Sequence, residues 1–307
     1  MSAVVMSPDG TWRGTAGTAD GVRRLRPTDQ FNIGSINKTL IAAQVMQLVE
    51  AGELDLDDPA AEHLPADLEF DTNGATIRQL LNHRSGIPDY WTPDFEQSLT
   101  THPRRVWTTE ELLETIPNAR GPVDVFAYSS TNYVMLGLAI EHVRGRALVE
   151  VLRDGVFDVA GTERLISQPE ERPTAPMAMP FGESTAALQV GGGYLPSTAS
   201  VTSNGPGAVI ASDAPSLAHW WRALCAGEIV SPDSLNEMTD ARGEYGLGRY
   251  QPYPVTVGHT GQDVGYVAWA GCLPDDGTVI VVLSNHVIDD IGAMAGPLVL
   301  AAGGASQ

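Results

Sequence analysis

A serine and a lysine three residues apart are the residues of this chain whose spacing most directly suggests chemistry. Ser35 and Lys38 open an apolar stretch that continues to Glu50 and stops at Gly52. Residues i and i+3 share one face of a helix, so the amine of Lys38 can reach the hydroxyl of Ser35. A serine becomes a nucleophile when a neighbouring base takes its proton, and a lysine whose pKa is lowered by burial can be that base. The pair favours a covalent serine enzyme.

The same spacing also fits a serine that caps a helix and a lysine that points into solvent, because serine is a preferred N-cap. Ile41, Val45 and Leu48 argue against this alternative, since they indicate an unusually buried helix. An unpaired lysine on such a helix would be costly. Two further motifs decide between the alternatives.

The second motif is the segment 126–133, Phe-Ala-Tyr-Ser-Ser-Thr-Asn-Tyr, which precedes an apolar helix. A tyrosine held near a lysine can share its proton and act as general acid or base. Taken alone, Tyr128 is more typical of a core aromatic residue.

The third motif, Gly-His-Thr-Gly-Gln at 258–262, lies in a predicted C-terminal strand. Glycine in a strand often marks the close approach of a ligand, and a strand edge can bind an extended substrate. The N–H group of Gln262 would then face a reacting carbonyl, while His259 and Thr260 could bind a carboxylate. The alternative for a solitary His-Thr-Gly is a turn.

The elements that must position these motifs are strands at both ends of the chain and helices between them. The predicted strands are Ala3–Met6, Thr11–Gly17, Val255–Val257, Gly265–Cys272 and Thr278–Ser284. The predicted helices, after the one that contains Lys38, are Thr76–Asn82, Thr109–Ile116, Asn132–Arg144, Leu148–Asp154, Ser216–Cys225 and a last one from about Val287 to Ala302.

This order predicts an α+β fold of the α/β sandwich type. We expect an antiparallel sheet built from both termini and flanked by helices, with an inserted all-helical lobe and the active site in the cleft between them. Residues 1–60 and 181–307 would form the sheet lobe and residues 61–180 the helical lobe of one interlocked domain.

Composition narrows the classes of partner. The 307 residues carry a net charge of −20, from 38 acidic and 18 basic side chains, which disfavours nucleic acid and anionic membrane surfaces. We expect no metal, no cofactor and no membrane span, since no stretch approaches the ~20 apolar residues that a span needs. No signal peptide is visible, which favours the cytoplasm, and secretion stays open if the start has been trimmed. Cys225 and Cys272 lie in apolar contexts and are predicted to be two buried thiols rather than a disulfide.

Together and in this order, the three motifs resemble the serine β-lactamase and penicillin-recognising enzyme family on its class C side. That branch uses Ser-x-x-Lys, then Tyr-x-Asn, then Lys- or His-Thr-Gly. Further similarity lies in Leu-Leu-Asn-His-Arg-Ser-Gly-Ile-Pro-Asp-Tyr at 80–90 and in Tyr-Gly-Leu-Gly at 245–248, which look like its DD-peptidase and esterase members.

The resemblance implies roles for the motif residues. Ser35 would be the acylated nucleophile, with Lys38 and Tyr128 relaying its proton. The N–H groups of Ser35 and Gln262 would form the oxyanion hole. Substrate contacts are expected from the following residues: Ser130, His259, Thr260, Gly261, Tyr90, Trp91 and Arg249.

The chain departs from the family pattern at two motif positions. Ser130 stands where Tyr-x-Asn has its asparagine, which questions recognition of an acylamino group. His259 replaces lysine, so positive charge there would depend on a pKa of about 6.5. Arg249 is a substitute carboxylate binder or, alternatively, a solvated strand residue. The family's N-terminal helix is missing, so the last helix would pack alone unless the start is trimmed.

These observations predict a serine hydrolase or acyltransferase with a small-molecule or short-peptide acyl donor and water or an amine as acceptor. His-Thr-Gly favours a DD-carboxypeptidase or D-aminopeptidase type. Ser130 and the missing signal peptide favour an esterase, amidase or biosynthetic transacylase. A β-lactamase with weak turnover is an alternative, and a non-catalytic binding homologue is the alternative from another class.

Overall fold

Ten strands and ten α-helices make up the described part of the chain, which in this computed structural model comprises residues 1–181, 187–190, 193–239, 245–250, 256–288 and 290–304. In chain order the strands are β1 (Ser2–Ser7), β2 (Gly10–Thr15), β3 (Phe31–Asn32), β4 (Ile166–Gln168), β5 (Ala187–Val190), β6 (Gly193–Pro196), β7 (Val209–Ser212), β8 (Val257–Asp263), β9 (Tyr266–Cys272) and β10 (Val279–Ser284). The helices are α1 (Asn37–Glu50), α2 (Ile77–Leu81), α3 (Pro93–Thr101), α4 (Thr109–Glu114), α5 (Thr131–Arg144), α6 (Leu148–Leu152), α7 (Thr198–Thr202), α8 (Ala214–Cys225), α9 (Pro232–Thr239) and α10 (Ile291–Val299).

An antiparallel sheet in the order β2-β1-β10-β9-β8 joins the two ends of the chain. β1 forms a hairpin with β2 on one side and pairs with β10 from the C-terminal region on the other. The predicted sheet built from both termini, and with it the fold class, is confirmed. β8, which carries the His-Thr-Gly motif, lies at one edge; it begins at Val257, and Val255 of the predicted strand lies outside the described residues.

Helices cover both faces of this sheet. In β10, Val279, Val281 and Leu283 face the main core, which includes α1 and α8. Ile280 and Val282 face a second cluster with Trp269 and the inner side of α10. Because successive side chains of a strand point to opposite faces, burial on both sides explains the unbroken apolar run of β10.

The last helix begins later than predicted. Asp290 caps α10, because its carboxylate accepts a hydrogen bond from the N–H of Ala293 at 2.9 Å. The helix ends at Val299 and continues as a π-helical turn over Leu300–Gly304. Its inner face packs on β9 and β10 without help from an N-terminal helix in the described residues.

Most of the remaining helices coincide with predicted ones, whereas α3, α7 and α9 were not predicted. The predicted segments Thr76–Asn82, Thr109–Ile116 and Asn132–Arg144 correspond to α2, α4 and α5. α3 was not predicted because its start, Thr92-Pro93, resembles a loop. Proline is nevertheless well tolerated in a first helical turn, and the side chain of Thr92 caps the helix by accepting the N–H of Phe95.

A second, three-stranded sheet in the order β3-β7-β4 connects the ranges that we assign to the two lobes. β3 and β7 fall in the sheet-lobe ranges, whereas β4 falls between residues 61 and 180. The lobe boundaries themselves stay a proposal. None of the helices in the described part of the chain is long and apolar enough to cross a bilayer.

The prediction of two free thiols is wrong, because Cys225 and Cys272 form a disulfide. Cys225 is the last residue of α8 and Cys272 the last of β9. α8 packs along β1, β9 and β10, and this packing brings the two Cα atoms to 6.8 Å. Apolar surroundings do not distinguish the two cases, because they fit buried free thiols and a disulfide between a helix and a sheet equally well.

We expect reduction of this disulfide to lower the melting temperature. A crosslink between residues separated by 47 positions restricts the unfolded chain, an effect of about 4 kcal/mol in the chain-entropy treatment. Thermal unfolding with and without a phosphine reductant measures it. A Cys225→Ser/Cys272→Ser variant should melt at the lower temperature under both conditions. The control is a thiol titration that shows complete reduction. If the melting temperature of the fully reduced wild type is unchanged, the expectation is contradicted.

Candidate active site

Ser35 lies in a 3-10 turn, Gly34–Ile36, that connects β3 to α1. Lys38 lies in the first turn of α1, and its Nζ donates a hydrogen bond to Ser35 Oγ at 3.2 Å. The side chain of Lys38 is 3% exposed. The structure therefore brings the two residues together in the orientation that their spacing predicts.

The start of α1 is fixed from two sides by hydrogen bonds to distant loops. Asn37 Nδ2 donates to the carbonyl oxygens of Gly207 and Ala208, at 2.8 and 2.6 Å. Thr39 Oγ1 donates to the carbonyl of Gly248 at 2.7 Å. These buried bonds hold the serine and the lysine in place.

Burial sets the protonation of Lys38. Desolvation lowers its pKa to about 8, and the negative charge of Asp89 opposes part of this shift. The ammonium also lies 5.2 Å from the ring centre of Tyr128 and 5.4 Å from that of Tyr133. An amine with this pKa is neutral in a useful fraction of molecules near neutral pH, so it can accept the serine proton.

The pKa of the Tyr128 hydroxyl shifts upward, whereas the pKa of Lys38 shifts downward. The Tyr128 side chain is 39% exposed, but its hydroxyl faces the cavity side of the ring, where desolvation raises the pKa of the hydroxyl and a hydrogen bond with Ser35 lowers it by less. The phenol therefore stays protonated at neutral pH and is suited to donate a proton. Lys38 is the base of the pair.

His83 holds the segment that presents Tyr128. Its ring centre lies 4.1 Å from that of Tyr128, and its Nδ1 accepts the N–H of Ser129 at 3.1 Å. The carbonyl of His83 accepts the N–H of Ala127 at 2.9 Å. His83 belongs to the 80–90 stretch that resembles the family, but nothing in the sequence reveals its stacking on Tyr128.

The edge strand β8 passes unusually close to the serine turn. A Cβ on Gly34, whose φ is +53°, would lie 2.5 Å from the backbone nitrogen of Gln262. A Cβ on Gly261 would lie 1.9 Å from the carbonyl oxygen of Ile33. Only glycine at both positions permits this approach. The backbone of Gln262 thus lies directly against the turn that carries Ser35, as the expected oxyanion hole requires.

A cavity of about 290 Å³ opens beside Ser35. Its walls come from the serine turn, α1, α3, β7, β8 and the segments before α3 and α5. The lining residues are Gly34, Ser35, Lys38, Asp89, Trp91, Glu96, Tyr128, Ser130, Asn204, Ala208, Val209, Ile210, Gln262 and Asp263. Of the expected substrate contacts, Trp91 and Ser130 thus face the cavity.

His259 does not have the expected charge. It is 2% exposed, and burial lowers its pKa to about 3. Its Nε2 lies 2.7 Å from the hydroxyl of Tyr245, and its Nδ1 contacts the carbonyl oxygen of Thr260. Burial disfavours the charged imidazole, so the structure does not support a cationic carboxylate binder at this residue, and its role in substrate binding stays a prediction. Thr260 is engaged with Tyr250, with 2.6 Å between their hydroxyl oxygens.

Arg249 and Tyr90 also lie away from the cavity. Arg249 is 3% exposed and packs 5.8 Å from the ring centre of Trp221, so it is neither a carboxylate binder in the cavity nor a solvated strand residue. Tyr90 is buried, and its hydroxyl donates to the carbonyl of Ser203 at 2.9 Å. Tyr90 therefore does not line the cavity, whereas its neighbour Trp91 does.

Three carboxylates in the cavity wall escaped the sequence analysis: Asp89, Glu96 and Asp263. Asp89 Oδ1 accepts the N–H groups of Trp91 and Ser130, each at 3.0 Å. The sequence held a signal for two of them, since Asp263 directly follows Gln262 and Asp89 directly follows the Ser-Gly-Ile-Pro segment at 85–88. Glu96 lies in the unpredicted helix α3 and had none.

The model of the family described as Beta-lactamase matches residues 1–303, nearly the whole chain. The chain belongs to the Beta-lactamase family. Family membership and the geometry of Ser35, Lys38 and Tyr128 agree on a serine hydrolase.

Relatives and solved structures show how far the similarity extends. Penicillin-binding protein 4 of Amycolatopsis lactamdurans is 35% identical over 161 residues, which are 52% of this chain and 39% of that protein. The chain thus spans about two fifths of the length of this curated relative. A D-stereospecific amidohydrolase from Streptomyces sp. superposes with a TM-score of 0.81 at 24% identity, over 100% of this chain and 94% of the other. D-amino acid amidase from Ochrobactrum anthropi SV3, complexed with L-phenylalanine amide, has a TM-score of 0.80 at 25% identity, over 98% and 92% of the two chains.

We expect the acylation of Ser35 to accelerate as pH rises through about 8, because only the neutral amine of Lys38 accepts a proton and burial lowers its pKa to that value. The rate of labelling by a fluorophosphonate between pH 6 and 10 measures this. Tyr128→Phe, which keeps the lysine, should retain the midpoint near that of the wild type. A wild-type labelling rate that does not change over this pH range would show that Lys38 is not the base.

We expect Gly261→Ala to slow acylation about 10²-fold or more, the size of effect seen when one oxyanion donor is lost. The added Cβ would force β8 away from Ile33 and displace the N–H of Gln262. Gly121→Ala is the matched control, since its Cβ would lie 3.5 Å from its nearest neighbour. Labelling rates and circular dichroism of both variants test this, and a Gly261→Ala protein that labels as fast as the control would contradict it.

Proposed function

We propose that this protein is a serine acyl hydrolase or acyltransferase that forms an acyl-enzyme at Ser35. The observation that carries the proposal is the 3.2 Å hydrogen bond between Lys38 Nζ and Ser35 Oγ, inside a cavity that Tyr128 and Gln262 also line. Nucleophile, base, acid and oxyanion donor are thus within reach of one substrate carbonyl.

In the first half of the reaction, Ser35 Oγ attacks the carbonyl carbon while neutral Lys38 takes the hydroxyl proton. The tetrahedral oxyanion is stabilised by the N–H groups of Ser35 and Gln262. As the bond to the leaving group breaks, Tyr128 gives that group a proton and recovers one from Lys38. This leaves an ester at Ser35 and returns the amine and the phenol to their starting forms.

In the second half, water or an amine attacks the ester. The acceptor loses a proton to the same lysine, and the departing Ser35 oxygen regains one. The product acid or amide leaves, and the site is restored. Hydrolysis and acyl transfer differ only in the acceptor.

The proposed acyl donor is a D-amino-acid amide, ester or short peptide. Support comes from structural neighbours described as a D-stereospecific amidohydrolase and a D-amino acid amidase, the latter complexed with L-phenylalanine amide. The buried, neutral His259 argues against the DD-carboxypeptidase type, whose peptide ends in a carboxylate. Among these donors we therefore favour amides and esters.

We expect a fluorophosphonate to add one label to the wild type, at Ser35, and none to Ser35→Ala. Ser98→Ala in α3, whose hydroxyl bonds to the carbonyl of Phe95 within that helix, is the control and should label as the wild type does. Intact-mass spectrometry and peptide mapping read the result. A panel of D-amino-acid amides, a short-chain nitrophenyl ester, D-alanyl-D-alanine peptides and a chromogenic cephalosporin then ranks the donors. A folded wild type that takes no label would instead indicate a non-catalytic binding homologue.

A further inference from the structure

Asn32 lies three residues before the nucleophile, at the end of β3, and its side chain is buried. Its Nδ2 donates a hydrogen bond to Asp263 Oδ2 at 3.0 Å. Asp263 is the last residue of β8 and directly follows Gln262. The bond therefore joins the strand that leads into the serine turn to the strand that carries the second expected oxyanion donor.

This side-chain bond lies beside the place where two stretches of backbone touch. A Cβ on Gly261 would lie 1.9 Å from the carbonyl oxygen of Ile33 and 3.3 Å from the backbone nitrogen of Ser35. Within the described residues, no backbone hydrogen bond joins the serine turn to β8, whose ladder partner is β9. Van der Waals contact between bare backbone atoms is only weakly attractive. The bond between Asn32 and Asp263 is thus a directional link across a contact that otherwise depends on packing.

The amide of Asn32 is held in the orientation that this bond requires. Its Oδ1 accepts a hydrogen bond from Gln168 Nε2 at 2.9 Å, and Gln168 is buried as well. Gln168 ends β4, which pairs with β7, and β7 in turn pairs with β3. Because the amide oxygen faces Gln168, the amide nitrogen faces Asp263. The three-stranded sheet thus orients the donor.

The acceptor is held from its other oxygen. Asp263 Oδ1 accepts the N–H of Val264 at 2.7 Å, in the turn that joins β8 to β9. Burial raises the pKa of Asp263 to about 6, so its carboxylate is mostly ionised at pH 7. A hydrogen bond to an ionised acceptor is stronger than one between neutral groups. The link is therefore charge-assisted.

We propose that Asn32 and Asp263 are positioning residues, whose hydrogen bond keeps the N–H of Gln262 close enough to the N–H of Ser35 for both to serve one oxyanion. The inference rests on the proposed acyl-enzyme at Ser35 and adds the interaction that assembles its oxyanion hole. Loss of the bond would let the edge of β8 move away from the serine turn. The pair of Ser35 and Lys38 would stay in place, because separate hydrogen bonds hold the start of α1.

A double-mutant cycle on the rate of fluorophosphonate labelling at Ser35 tests this bond. The phosphoryl oxygen of the label occupies the oxyanion position, and the label carries no amino-acid group, so the rate reports on the oxyanion hole. We expect Asn32→Ala and Asp263→Ala each to slow labelling about ten-fold or more, part of the 10²- to 10³-fold cost of losing an oxyanion donor. The double variant should be no slower than the slower single variant, because both changes break the same bond.

Asp263→Asn is the conservative variant that separates the hydrogen bond from the charge. Its amide oxygen can still accept the bond from Asn32, so it should recover most of the rate that Asp263→Ala loses. If Asp263→Asn labels as slowly as Asp263→Ala, the carboxylate charge matters instead of the bond, and the inference is overturned. This comparison also decides the matter alone if Asn32→Ala does not fold.

Asn285→Ala is the matched control for the loss of a buried asparagine. Asn285 Nδ2 donates to the carbonyl oxygens of Thr18 and Met179, at 3.1 and 2.8 Å, and lies outside the cavity wall. This variant should label as the wild type does, with folding checked by circular dichroism. In Asn32→Ala the pH midpoint of labelling, which reports on Lys38, should stay at the wild-type value. A shifted midpoint, or losses that multiply in the double variant, would indicate a general structural role and contradict the inference.

Failure of the inference differs from failure of the proposed function. If the wild type is labelled at Ser35 and Asn32→Ala labels equally fast, the positioning role is refuted and the serine hydrolase stands. If the wild type takes no label at Ser35, the acyl-enzyme is refuted and the positioning role with it.

Discussion

The contact between two stretches of backbone, one around Gly34 and one around Gly261, is the constraint on which the site depends. No side chain fits between them, so the edge strand of the sheet lies directly against the turn that carries the nucleophile. In the proposed mechanism, one peptide N–H from each stretch serves the same oxyanion. Such preorganised donors need not reorganise during the reaction, which is why they are effective. The buried α1 and the sheet between two helical layers provide the rigid support that keeps this distance short.

The sequence predicted those parts of the molecule that repeat a local pattern. The apolar run after Lys38, the alternation in the C-terminal strands and the i, i+3 spacing of Ser35 and Lys38 all follow from the geometry of one element. α3 was missed because a proline and a threonine start it. The disulfide was missed because the 47 positions between Cys225 and Cys272 carry no information about how α8 crosses the sheet.

Charge was the hardest property to predict from residue type. His259 and Arg249 suggested a positive wall, but burial keeps the histidine neutral and the arginine packs against Trp221. Asp89 and Asp263 attracted no attention because acidic residues are common in this chain. The sign of the potential in the cavity is set by which side chains the fold turns inward, and that is a tertiary property.

The position of Asp89 has a consequence for the resting enzyme. Its charge favours the protonated form of Lys38, whose pKa of about 8 leaves roughly one molecule in ten with a free amine at pH 7. Without the charge of Asp89, the pKa of Lys38 would be lower still and the lysine would give up its proton more readily. The reactivity of the resting serine would therefore depend on a carboxylate from a different segment of the chain, the one before α3.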